Sequence, residues 1–93
     1  MSVSVYLESL RVRSYAADTV KSHELSIIRF FEGTGVSDVR EVTREEVRRY
    51  AAALCGARRF TVGTVRVRLM ALKSFFGWLQ SNDMILINPC TGL

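Results

Sequence analysis

Apolar residues recur at helical spacing along most of the chain, and strand-like alternation with paired turn residues is largely absent. The clearest run is Val62, Val65, Leu69, Leu72, Phe76 and Leu79, which predicts a helix from about Thr61 to Ser81 with Thr61 as its N-cap. A second stripe, Val20, His23, Ile27, Phe30 and Phe31, predicts a helix from about Asp18 to Glu32. There Asp18 is the expected cap, and Gly33 and Gly35 offer the left-handed residue that ends a helix. Between them Thr43-Arg44-Glu45-Glu46 has the spacing of a capping box and opens a helix from Thr43 to Cys55. Its stripe is Val47, Tyr50, Ala51 and Leu54, Val42 is placed to staple onto Val47, and Gly56 is the expected stop. The first helix, about Ser4 to Arg13, is only loosely periodic: Val5, Leu7 and Leu10 with Tyr6 beside them, a face expected either to pack late or to serve as an interaction surface. After Asn82 and Asp83 a short extended tail, Met84-Ile85-Leu86-Ile87, leads to Asn88-Pro89. Short connections favour antiparallel neighbours, so the expectation is an all-α four-helix bundle of two packed helical hairpins, with residues 1–93 forming one domain.

Charge adds a direction to this picture. Residues 1–46 hold six basic and eight acidic side chains, whereas residues 47–93 hold seven basic ones and a single acid, Asp83. Eleven of the thirteen bases are arginine, whose fork suits phosphate and guanine. Arg66 and Lys73 fall on one flank of the last stripe and Arg68 on the other. Thr61 and Thr64 occupy that helix's first turn, where amides and hydroxyls can meet an anion, and Arg58 and Arg59 precede it. On the second helix Lys21, Ser22, Leu25, Ser26 and Arg29 avoid the apolar stripe. These residues outline a binding surface, set against the plainer reading of a solvated basic face.

The chemistry of catalysis is not visible. His23, the sole histidine, lies on an apolar stripe, where a satisfied core or border role is expected. Tyr6, Tyr15 and Tyr50 lack an arginine–histidine surrounding, and Gly33-Thr34-Gly35 lacks the strand and lysine of a phosphate loop. Cys55 and Cys90 sit in no metal-binding pattern and are expected to stay reduced, so no metal and no cofactor is expected. No apolar run is long enough for a membrane span and no secretory leader opens the chain, which points to a cytoplasmic protein.

Three ordered segments then resemble the N-terminal core-binding domain of the tyrosine recombinases of phage-integrase type. These are Tyr15-Ala16-Ala17-Asp18-Thr19-Val20-Lys21-Ser22-His23, the run from Phe60 to Leu79 with its Arg68-Leu69-Met70-Ala71-Leu72-Lys73-Ser74-Phe75 core, and Ile87-Asn88-Pro89-Cys90-Thr91-Gly92-Leu93. The resemblance implies a SAM-like integrase N-terminal fold and a non-catalytic arm that grips duplex DNA through its second and fourth helices. The DNA-facing residues it implies are Thr19, Lys21, Ser22 and Ser26, then Thr61, Thr64, Arg66, Arg68 and Lys73; Arg29 and Arg59 join them from the charge pattern. It further implies contacts of Tyr6, Leu7 and Leu10 with a neighbouring protomer on DNA, with a monomer expected in isolation. Departures are His23 in place of an aromatic, Ala16-Ala17 in place of a Ser-Pro entry, and Leu25 and Ile28 on the second helix. The rival reading is a protein-docking module presenting Leu25, Ile28, Phe75 or Trp78, or a standalone regulator of the same fold. The close at Gly92-Leu93 reads as a domain boundary.

Overall fold

A computed structural model describes residues 2–93. Four helices follow one another: α1 (Ser2–Val12), α2 (Ala17–Thr34), α3 (Arg44–Gly56) and α4 (Val62–Ser81), with one 3-10 turn at Val39–Glu41 before α3. α1 packs on α2 and α3 on α4, giving the two hairpins, and α2 against α4 is the most extensive pairing. The fold is all-α among the described residues.

The helix ends follow local chemistry more often than not. The capping box of α3 is formed: the Thr43 hydroxyl accepts the Glu46 amide at 3.2 Å, and the Glu46 carboxylate accepts the Thr43 amide at 3.0 Å. Val42 and Val47, the two staple positions, are both buried in the core. Asp18, by contrast, does not cap α2. The helix begins one residue earlier, Ala16 takes the cap position without a side-chain bond, and Asp18 lies in the first turn. There a carboxylate still complements the positive end of the helix. Gly35 supplies the left-handed stop (φ 73°), while Gly33 remains helical. Gly56 is helical too, and α3 ends by passing into extended Ala57. α1 and α4 each end on a pair of amide bonds around a left-handed non-glycine residue, Ser14 (φ 64°) and Asp83 (φ 58°). Tyr15 N–H donates to Leu10 C=O and Ser14 N–H to Arg11 C=O; Met84 to Leu79 and Asp83 to Gln80 repeat the pattern.

The core is aromatic. Phe30, Phe75 and Phe76 are fully buried with Ile27, Leu72 and Leu79, each such side chain contributing about 1.5–3 kcal/mol by burial. Phe30 meets Tyr50 and Phe76 edge to face, tying α2 to α3 and α4. The Tyr50 hydroxyl is buried without a partner. The stripe of α4 is buried from Leu72 onward but exposed at its start, where Val62 stands out in solvent, so the first two turns of α4 overhang the core. The segment after α4 is not extended: it folds back in bends, burying Ile85 and Cys90, with the Asn88 carboxamide accepting the Cys90 amide at 2.9 Å.

Two expectations about surfaces are corrected here. Tyr6, Leu7 and Leu10 are 0%, 3% and 0% exposed, so they hold α1 on α2 and α4 and have no surface to offer a protomer. Phe75 is likewise fully buried, which removes it from the protein-docking reading, while Trp78 is half-buried and Leu25 and Ile28 are exposed.

Candidate nucleic-acid interface

The overhang of α4 creates the feature of interest. Where its first two turns leave the core, they face α2 from Asp18 to Arg29 across a groove of about 700 Å³. α2 contributes Lys21, Ser22, Leu25, Ser26 and Arg29, and α4 contributes Thr61, Gly63, Thr64, Val67 and Arg68. Seven of the sequence-derived candidates therefore share one concavity: Lys21, Ser22, Ser26, Arg29, Thr61, Thr64 and Arg68. Asp18 is the one acid at its edge.

The remaining candidates lie elsewhere. Arg66 and Lys73 line a second groove of about 400 Å³ on the opposite flank of α4, beside Cys55, Met70 and Leu93. Lys73 stands close enough to the C-terminal turn for its charge to act on the Cys90 thiol, which burial nonetheless pushes up to about 11. Thr19 is exposed in the first turn of α2 and is not part of the groove. Ser26 is 5% exposed, so it forms the floor of the groove rather than a side chain that reaches outward. Arg59 lies over the ring of Phe60, 4.8 Å from its centre.

Local bonding fixes what the α4 end can offer. The Thr61 hydroxyl accepts the Thr64 amide at 3.1 Å and donates to the Thr64 hydroxyl at 3.0 Å. The Thr61 proton is thus spent within the cap, and the Thr64 hydroxyl keeps its own for an incoming acceptor. The cations are uncommitted as well. Among the described residues the ion pairs are Arg11–Glu8, Arg40–Asp38 and Arg49–Glu45, none of which involves the groove. Three positive side chains with free donors, one hydroxyl and a helix N-terminus around one shallow channel make an anion-attracting surface. What the sequence did not point to is the pairing of Phe60 with Arg68, whose guanidinium carbon lies 4.5 Å from the ring centre. Its only trace in the sequence is the aromatic placed directly before the cap.

A second polar cluster lies part-buried between α1, α2 and α4. The Tyr6 hydroxyl lies 3.0 Å from His23 Nδ1 and 2.7 Å from Ser74 Oγ. Tyr6 is buried in the core, and burial pushes its phenol up and the His23 imidazole down. His23 is the satisfied border histidine its stripe suggested. Among the described residues no group of three or more histidine, cysteine, aspartate or glutamate side chains could hold a metal ion. Both cysteines are unpaired, and no described helix is long and apolar enough to cross a membrane.

Residues 5–85 match the family described as "Phage integrase, N-terminal SAM-like domain". A protein named tyrosine recombinase XerC 2 from Ralstonia nicotianae is 34% identical, over 98% of this chain and 28% of that protein. A tyrosine recombinase from Agathobacter rectalis is 25% identical, over 94% of this chain and again 28% of the relative. The chain thus spans little more than a quarter of the length of these relatives. No solved structure matches it significantly.

Proposed function

The chain belongs to the family of phage-integrase N-terminal SAM-like domains, and on that premise we propose that it is the DNA-gripping arm of a tyrosine site-specific recombinase. The arm holds duplex DNA at the core recombination site with its second and fourth helices, and strand breaking and rejoining falls to residues other than these. One observation carries the reading: α2 and α4, separated in sequence by residues 35–61, bring Lys21, Arg29, Arg68 and the Thr64 hydroxyl to a single unpaired, nearly acid-free groove. A phosphate backbone supplies the negative charge and the acceptors that such a surface lacks.

The test is a fluorescence-anisotropy titration of a labelled random duplex across a salt series. Each neutralised phosphate adds about −0.9 to the slope of log K against log salt, so three groove cations predict a slope of about −2.7. Lys21→Ala, Arg29→Ala and Arg68→Ala should each lower the steepness by about 0.9. Binding that ignores salt would instead favour apolar docking through Leu25 and Ile28, which stand 44% and 41% exposed on α2. No binding at low salt would remove the DNA-arm reading for the isolated chain.

A further inference from the structure

Phe60 is the residue just before the cap of α4, half-buried and lining the second groove, on the flank of α4 opposite to Lys21 and Arg29. Two guanidinium groups lie on its ring: Arg59 at 4.8 Å and Arg68 at 4.5 Å from the ring centre. Arg59 comes from the α3–α4 connection, and Arg68 comes from the second turn of α4, where it lines the first groove. Neither is in an ion pair among the described residues.

Each part of this arrangement has a physical consequence. A guanidinium lying over a ring face is attracted by the ring's quadrupole. Its five N–H donors point within its own plane, so a stacked arginine keeps them for an in-plane acceptor. A free arginine loses much rotamer freedom when it binds, and one already held against a ring loses less. Two like charges gathered on one ring repel each other, and an anion that bridges or approaches both relieves the repulsion.

We infer that Phe60 is a positioning residue that holds Arg59 and Arg68 as a preformed pair of cations for one stretch of the DNA phosphate backbone at the start of α4, Arg68 on the groove side and Arg59 just outside it. The role rests on the groove being the DNA-binding surface. It assigns this end to backbone contact, independent of base sequence, because the ring fixes the charges without aiming either at a base edge.

The experiment uses Phe60→Leu, which keeps apolar bulk but removes the ring face, and Phe60→Tyr, which restores it. Two stacked contacts at a partly exposed site predict that Phe60→Leu weakens duplex binding about three- to tenfold, to the same degree on unrelated sequences. The salt slope should stay at the parent value, because every charge is still present, whereas Arg68→Ala flattens it by about 0.9. Phe60→Tyr should bind like the parent, and unchanged thermal midpoints would set aside a merely structural effect. In the free protein, ring-current shifts should move the Arg59 and Arg68 side-chain proton signals upfield, and Phe60→Leu should abolish this.

The outcomes separate the two readings. If Arg68→Ala flattens the slope while Phe60→Leu binds like the parent, the groove reading stands and the role of Phe60 is refuted. Absence of the ring-current shifts in the free protein refutes it without reference to DNA. A parent chain that binds no duplex overturns both.

Discussion

Replacing Tyr6 by Phe removes one oxygen from the middle of the fold and nothing else. The ring packs in the core against Phe75 (5.2 Å between centres, 63° between planes) and Trp78 (5.4 Å, 60°), and phenylalanine fills the same space. The cost is therefore that of the hydroxyl's two bonds, to His23 Nδ1 and Ser74 Oγ. One phenolic proton serves one partner while the oxygen accepts from the other, so both bonds form whichever imidazole nitrogen carries hydrogen. A net 0.5–1.5 kcal/mol per bond is typical, and both partners stand near enough to solvent to recover part of it, so the loss should be about 1–2 kcal/mol. For a chain of this size that is a fall in Tm of roughly 5–10 °C. Urea unfolding followed by helical circular dichroism should show the midpoint falling with the m-value unchanged. Tyr50→Phe makes the same chemical change at a buried hydroxyl with no partner, and should cost nothing or stabilise slightly. If Tyr6→Phe proved as stable as the parent, or Tyr50→Phe lost as much, the argument from bonded against orphaned hydroxyls would be refuted.

Burial holds the His23 imidazole below its ordinary pKa of 6.5, so the unfolded chain takes up a proton that the folded one resists. Its contribution to stability is complete above that ordinary value and is lost as pH falls toward the lower folded one. Urea midpoints should drop between pH 7.5 and 5, less so in His23→Gln. Gly77 lies in mid-helix with ordinary negative φ, and an added methyl would meet nothing within 4 Å. Gly77→Ala should therefore raise stability by about 0.5–1 kcal/mol, measured by the same unfolding assay. Cys55 is exposed and Cys90 buried with its thiol pushed up to about 11, so a thiol-reactive dye should label one cysteine quickly in the native protein and the second only on unfolding.

Much of the fold was legible from neighbours a few residues apart. Thr43 with Glu46, and Thr61 with Thr64, cap their helices through bonds spanning three positions, so the signal and the structure it specifies lie in the same short segment. The apolar stripes likewise named the buried faces of α2, α3 and the later turns of α4, because a helix brings residues three and four apart together whatever surrounds it. The excess of arginine toward the C-terminal half was equally plain.

Tertiary packing decided the rest. Periodicity says which side of α4 is apolar but not where its neighbours end, so it could not show that the start of α4 overhangs the core and opens a groove. It put Arg68 on one flank of α4 and Arg66 and Lys73 on the other, but could not tell that the Arg68 flank looks across a groove at Lys21 and Arg29. The loosely periodic α1 read as a free surface, yet Tyr6, Leu7 and Leu10 are sealed because α2 and α4 enclose them. Ser26 read as an outward polar residue and lies buried for the same reason. A helix's own bonds are local and repeat along the chain. Which helix covers which face depends on contacts between residues tens of positions apart, and those leave no spacing in the sequence to read.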